Sequence, residues 1–152
     1  MSGVRVRGLR IDANGVPLVR GLDLDVAPGE CVAVVGESGA GKSLTARALL
    51  GLLPAGLDGR AETLTIDGVD ARDLDERGWR RLRGDRIALV SQDALASLDP
   101  LRRVGAEVAE PLRIHTPALR GPALHDRVRE VLERVALPEP DLRARQYPHE
   151  LS

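Results

Sequence analysis

The chain has 152 residues and contains no phenylalanine, one tyrosine, one tryptophan and one cysteine. Without phenylalanine, the core has to be built from leucine, valine, alanine and isoleucine. A lone cysteine cannot form an internal disulfide, and Cys31 has no neighbouring cysteine or histidine with which to bind a metal. We therefore expect Cys31 to be a small buried residue of a strand.

Long apolar runs are also missing. None approaches the roughly 20 residues that are needed to cross a bilayer, and residues 1–5 lack the apolar stretch of a signal peptide. The net charge is -1, which gives no electrostatic signal for nucleic acid. With 43% hydrophobic and 30% charged residues, the composition is that of a globular domain. These features predict a cytosolic protein that does not bind nucleic acid.

Lysine is almost absent, because Lys42 is the only lysine among 22 basic residues. Arginine and lysine serve equally well on most solvated surfaces. They are not interchangeable where a compact point charge is needed among phosphates. The single lysine lies inside a glycine-rich segment, residues 36–43, and this position directs attention to phosphate chemistry.

That segment reads Gly-Glu-Ser-Gly-Ala-Gly-Lys-Ser and matches the P-loop pattern in full. Its glycines permit main-chain conformations and close approaches that a Cβ would obstruct. We expect Lys42 to reach the β- and γ-phosphates of a nucleotide and the Ser43 hydroxyl to coordinate Mg²⁺. A chance match in a glycine-rich turn is the alternative, and the predicted strand before the segment and helix after it disfavour that alternative. The predicted phosphate-binding residues are Gly36, Glu37, Ser38, Gly39, Ala40, Gly41, Lys42, Ser43 and Leu44.

Hydrophobic patterns divide the chain into two kinds of structure. Alternation over the first thirty residues predicts antiparallel strands, with a bulge near Gly8 and a turn at Asn14-Gly15. Continuous apolar runs at residues 31–35 and 87–90 predict strands that are buried on both faces of a parallel sheet. A further strand and turn are predicted at residues 64–68.

Helices are predicted at residues 44–53 and 74–83, with a loop at 55–61 between them. After Pro100 the pattern becomes helical, and we expect Pro111 to kink or end the first of these helices. A clean amphipathic stripe follows. Its apolar residues are Leu124, Val128, Val131, Leu132 and Val135.

Gln92 is a further candidate ligand, because it follows the second apolar run at the carboxyl end of the predicted sheet, where ligands bind in such folds. Its amide could reach Mg²⁺ or an attacking water. By itself, a glutamine in this position is more often a solvated loop residue.

Three segments in order closely resemble the ATP-binding subunits of ABC transporters, in particular the oligopeptide, dipeptide and nickel importers. They are the P-loop at 36–43, Leu-Val-Ser-Gln-Asp-Ala-Leu-Ala-Ser-Leu-Asp-Pro at 89–100 and Tyr-Pro-His-Glu-Leu-Ser at 147–152. The resemblance implies that Gln92 contacts Mg²⁺, with Ser43 as the second metal ligand. It also implies that residues near 93–110 face a membrane permease and that two ATP-binding subunits form a head-to-tail dimer.

Two departures from the family pattern affect the expected chemistry. Leu151-Ser152 resemble the first residues of the family's signature sequence, and the rest of that sequence and the catalytic glutamate would lie beyond them. No catalytic residue is therefore assigned in this chain. The family's adenine-stacking aromatic residue aligns with Ala13, so recognition of the base is less firmly predicted than recognition of phosphate.

The sequence thus predicts an α/β P-loop fold of the ABC type, with an antiparallel β subdomain and a helical subdomain, incomplete at the C-terminus. Residues 1–98 would form the ATP-binding core and 99–152 part of the helical subdomain. The predicted function is ATP-driven solute import, of a peptide or nickel type, from the inner face of the membrane, with ATP and Mg²⁺ as cofactors. The alternatives are a nucleotide-binding or interaction module without catalysis, and a soluble P-loop kinase or GTPase.

Overall fold

A computed structural model describes residues 3–91 and 97–151 of the chain. The chain forms two compact units that divide between Leu89 and Val90. The first unit contains an antiparallel sheet and two short helices, and the second is helical. In the described part of the chain, no helix combines the length and apolar character needed to cross a membrane.

The sheet of the first unit is antiparallel in every pairing. Its central strand, β1, pairs with β2 along one edge. Along the other edge, β4 pairs with residues 4–7 of β1 and β3 pairs with residues 10–13, while β5 pairs with β4. The five strands are β1 (Val4–Ala13), β2 (Val16–Val26), β3 (Leu57–Arg60), β4 (Thr63–Ile66) and β5 (Val69–Asp70).

The β1–β2 hairpin forms where the alternation and the turn residues predicted it. Asn14 and Gly15 have φ angles of 49° and 82°, which a tight turn between twisted strands requires. The predicted bulge is also present, because the pairing register shifts between Val6 and Leu9. At this shift the Gly8 amide donates a hydrogen bond of 2.7 Å to Asp23 Oδ1.

Two helices, α1 (Lys42–Ala48) and α2 (Glu76–Leu82), contribute to the core of the first unit. The apolar residues of the sheet alternate in and out, so one set is fully buried, and Ile11 and Val6 are 0% exposed. The buried core consists of Val6, Leu9, Ile11, Ala48, Leu64, Ile66, Ala71, Trp79 and Leu82.

The two predicted buried strands at 31–35 and 87–90 do not form, and this prediction was wrong. Val35 and Val90 are 89% and 90% exposed, and Cys31 is exposed rather than buried. A strand that is buried on both faces needs neighbours to bond its amides and carbonyls. In the described residues no strand pairs with either segment; Ile87 makes only an isolated bridge with Arg83.

Two smaller predictions also need correction. The expected loop at 55–61 contains strand β3, whose short sequence Leu-Asp-Gly-Arg has no apolar alternation to reveal it. Pro111 lies inside helix α3 (Val104–His115) and does not end it. A proline removes one helical hydrogen bond, and the packing of Val108 and Leu112 on either side of it holds the helix against its neighbours.

The second unit is built on α3 and α4 (Gly121–Arg134), followed by α5 (Pro140–Arg143) and a 3₁₀ turn at Pro148–Glu150. The predicted stripe on α4 is confirmed at its centre, where Leu124, Val128 and Leu132 are buried. It fails at Val135, which lies beyond the helix and is 70% exposed.

Close contact between the start of α3 and the segment after α5 fixes the arrangement within this unit. The amides of Val104 and Gly105 each donate a hydrogen bond of 2.9 Å, to the carbonyls of Gln146 and Ala144 respectively. A Cβ on Gly105 would lie 2.8 Å from the Ala144 carbonyl oxygen. Glycine is therefore needed at this point of contact.

Candidate functional site

The glycine-rich loop turns sharply before it enters α1. Gly39 and Gly41 have φ angles of 82° and 86°, a region that residues with a Cβ rarely adopt. The Ala40 amide donates a hydrogen bond of 3.2 Å to the Glu37 carbonyl and closes the turn. The glycines thus provide the conformational freedom that the sequence pattern predicted.

Gly41 is restricted by packing as well as by its φ angle. A Cβ at this position would lie 2.8 Å from Val19 Cγ2 and 3.4 Å from the Leu18 carbonyl oxygen. Strand β2 therefore packs directly on the end of the loop. This contact joins the antiparallel sheet to the loop, and the sequence pattern gave no indication of it.

Lys42 is the first residue of α1, and its side chain folds back over the loop. The ammonium group donates hydrogen bonds of 2.7 Å to the Gly36 carbonyl and 2.6 Å to the Glu37 carbonyl. The single positive charge of the segment is thus held at the centre of the turn. Since both acceptors are neutral, an anion that enters the loop can compete with them for the ammonium group.

The other predicted residues lie in the loop or in the first turn of α1. Ser43 is exposed in the first turn, with its hydroxyl accessible, and Leu44 is half-buried against the core. Glu37, Ser38 and Ala40 are exposed on the loop. The structure therefore gathers residues 36–44 into one open turn at a helix start.

Thr45 was not predicted as part of this site. It is the one polar residue that is buried in the described chain, and its hydroxyl donates a hydrogen bond of 3.0 Å to the Gly41 carbonyl. The Thr45 amide donates to the same oxygen at 2.8 Å. These two bonds fix the end of the loop to the first turn of α1.

The remaining candidate residues belong to other segments of the chain. Gln92 lies outside the described residues. Ala13 is the last residue of strand β1. Trp79 is buried in the core, and Tyr147 stacks on His149 with ring centroids 5.8 Å apart.

The far end of α1 is held by a second set of contacts that sequence reasoning missed. Arg83 donates hydrogen bonds of 2.7 Å to the Leu50 carbonyl and 2.8 Å to the Gly51 carbonyl, just past the helix. It also bonds Glu76 Oε1 at 3.1 Å, and its guanidinium lies 5.6 Å from the centre of the Trp79 ring. In an arginine-rich stretch, no sequence signal distinguishes Arg83 from its neighbours.

The charges around Arg83 lie mainly on the surface of α2. Hydrogen bonds from Arg80 and then Arg83 hold the pKa of the Glu76 carboxyl below its usual range. In the described residues there is no group of three histidine, cysteine or carboxylate side chains that could hold a metal ion.

Comparison with known proteins gives a consistent result. A family model described as "ABC transporter" matches residues 19–152. The oligopeptide transport ATP-binding protein OppD of Mycobacterium bovis is 40% identical over 143 residues, which are 94% of this chain and 23% of that protein. The dipeptide transport ATP-binding protein DppD of Lactococcus lactis is 34% identical over 140 residues, which are 92% of this chain and 40% of that protein.

A solved structure supports the same fold. The dimeric post-hydrolysis structure of the ATP-binding cassette MJ0796, bound to ADP and Pi, aligns with a TM-score of 0.79 and 26% identity. The alignment covers 98% of this chain and 63% of that one. The chain thus spans between about a quarter and a half of the length of the curated relatives that it matches. These relatives are named as transport ATP-binding proteins.

Proposed function

The chain belongs to the ABC transporter family, and from this we propose that it is the ATP-binding portion of a subunit that couples ATP binding and hydrolysis to peptide import. The relatives named for oligopeptide and dipeptide transport support the peptide assignment. The observation that carries the nucleotide site is the ammonium group of Lys42, held over a glycine turn at the start of α1.

The geometry suggests how this turn binds a triphosphate. Phosphate oxygens carry formal negative charge, so they attract an ammonium group more strongly than neutral carbonyl oxygens do. The Lys42 ammonium would leave the carbonyls of Gly36 and Glu37 and bond the β- and γ-phosphates. Main-chain amides of the turn and the first residues of α1 would bond the remaining phosphate oxygens.

Ser43 fits the predicted role in metal binding. Its hydroxyl is an oxygen ligand, which Mg²⁺ prefers, and it is exposed beside Lys42 in the first turn. When bound, the ion would neutralise charge on the phosphates. Gln92 is proposed as the second protein ligand, on the family resemblance.

The partners follow from the same assignment. We propose that residues 1–98 form the ATP-binding core, that residues 99–152 belong to the helical subdomain, and that residues near 93–110 face the permease. The structural neighbour is a dimer, which supports a head-to-tail pair of ATP-binding subunits. The protein would then be bound peripherally at the inner face of the membrane.

Titration calorimetry with Mg-ATP tests the phosphate site. The Lys42→Ala variant removes the ammonium group, and we expect it to lower affinity about a hundredfold, because about 3 kcal/mol of charged hydrogen bonding is lost. Arg47→Ala is the matched control, since Arg47 is an exposed cation in the last turn of the same helix.

Equal affinity of wild type and Lys42→Ala would refute the proposed site. An equal loss in Arg47→Ala would show that general positive charge, and not the loop, attracts the nucleotide. Peptide import is tested separately, by asking whether Lys42→Ala in the full transporter abolishes uptake of a labelled peptide.

A further inference from the structure

Helix α1 is held at both ends by different groups. At its start, Thr45 fixes the loop through the Gly41 carbonyl. Past its end, the chain continues in a tight turn in which the amides of Leu50 and Gly51 bond the carbonyls of Arg47 and Ala48. The carbonyls of Leu50 and Gly51 then face Arg83, which bonds both of them.

The two contacts of Arg83 are favourable for a general reason. A carbonyl oxygen that is shielded from water needs a hydrogen-bond donor. A guanidinium presents its donors in a rigid planar fork, so it bonds two carbonyl oxygens in a fixed geometry that a flexible ammonium group does not impose. Its side chain is only 20% exposed, so water competes weakly for these bonds.

Packing adds to the hydrogen bonds. A Cβ on Gly51 would lie 2.4 Å from Trp79 Cε2, so the indole ring packs directly on the main chain at this turn. Trp79 is buried, and the Arg83 guanidinium lies near its ring. Any axial shift or tilt of α1 would therefore disturb both the ring contact and the two hydrogen bonds.

We propose that Arg83 is a positioning residue of the nucleotide site, which holds the helix that begins with Lys42 and Ser43 through the carbonyls of the turn that follows it. This inference rests on the proposed function. Helix α1 has seven residues, so it is about 10 Å long. A tilt of this short, rigid element at its far end moves the Lys42 and Ser43 main chain relative to bound phosphates.

The inference also assigns a role to Trp79. Because it is the only tryptophan and contacts the turn after α1, its fluorescence reports on the position of the helix. Binding of Mg-ATP at the loop should change the Trp79 emission in the wild-type chain. This change is a direct signal of coupling between the two ends of α1.

The experiment compares Arg83→Ala and Arg83→Lys with wild type and with Arg80→Ala. Arg80 is the matched control, because it lies in the last turn of α2, just before Arg83, and also bonds Glu76 but is 76% exposed. For each protein we would measure the Kd for Mg-ATP, the Trp79 emission change at saturation and the unfolding midpoint without nucleotide.

We expect Arg83→Ala to weaken Mg-ATP binding about tenfold, or about 1.4 kcal/mol, and to reduce the emission change at saturation. Arg83→Lys should recover part of the affinity, since it keeps the positive charge but not the planar fork. Arg80→Ala should change the affinity less than about twofold. If Arg83→Ala does not fold, the Kd of Arg83→Lys for Mg-ATP tests the inference instead, and an affinity below that of wild type would support it.

A folded Arg83 variant with wild-type affinity and emission change would overturn the inference, even if its unfolding midpoint fell. That result would assign Arg83 a purely structural role. Failure of the proposed function would give a different result. Titration of the wild-type chain with Mg-ATP would then show no binding beyond the buffer control, and Lys42→Ala would give the same result.

Discussion

The β1–β2 hairpin and the apolar run at residues 31–35 are neighbours in sequence with opposite outcomes. The hairpin is fully paired, and Val6 within it is 0% exposed. The run has the more strongly apolar sequence, yet it forms no strand, and Val34 is 49% exposed. Hydrophobicity alone therefore does not produce a strand.

The difference lies in where the pairing partners come from. An antiparallel hairpin brings its own partner through a two-residue turn, so its hydrogen bonds are local. A strand in a parallel sheet needs a partner that is reached through a crossover of a dozen or more residues. In the described part of the chain, the run at 31–35 has no such partner. Of these two regions, only the one whose strands are paired contributes buried side chains.

The largest expected effect comes from replacing one valine of each region by alanine. We expect Val6→Ala to destabilise the chain by about 2–3 kcal/mol, because it leaves a cavity in the core. Val34→Ala should change the unfolding free energy by less than about 0.5 kcal/mol. Urea unfolding of both variants measures the difference. Equal losses would mean that residues 31–35 are packed in solution.

Gly41, in the loop that follows residues 31–35, contacts the hairpin through Val19 of β2. We expect Gly41→Ala to cost about 1–3 kcal/mol, because it combines left-handed backbone strain with a steric clash. Gly56→Ala is the control, since Gly56 has a φ angle of 85° but an added Cβ there would meet nothing within 4 Å. Thermal unfolding should show a larger loss for Gly41→Ala. Equal losses would show that the contact with Val19 contributes nothing.

The smallest expected effect is the pH dependence of stability that comes from the ion pair between Asp70, in strand β5, and Arg72. Hydrogen bonds from the Arg72 side chain, and then its main-chain amide, lower the pKa of Asp70 from 3.8 to about 2. A lowered carboxyl pKa stabilises the folded state above the unfolded value, and this contribution is lost as the pH falls from about 4 towards about 2.

We therefore expect the stability difference between wild type and Asp70→Asn to shrink over that range in urea unfolding. Asp58→Asn is the control, because Asp58 is exposed on β3 and makes no ion pair among the described residues. A difference that stays constant with pH would contradict the assigned pairing.

Prediction from sequence succeeded where the signal was local. The turn at Asn14-Gly15 and the bulge near Gly8 depend on backbone conformations that those residues favour, and both were found. Strand β3 was missed, because its sequence carries no periodic signal and its pairing with β1 depends on a contact between distant segments. The role of Gln92 as a ligand stays a prediction.

By itself, the sequence determined the glycine turn with its single lysine, because φ angles and one point charge are properties of individual residues. It also determined the family, through three motifs in order. Only the tertiary structure determined that Lys42 bonds the carbonyls of Gly36 and Glu37, and that Arg83 holds the far end of α1. These contacts join residues brought together by folding, and no spacing along the chain encodes them.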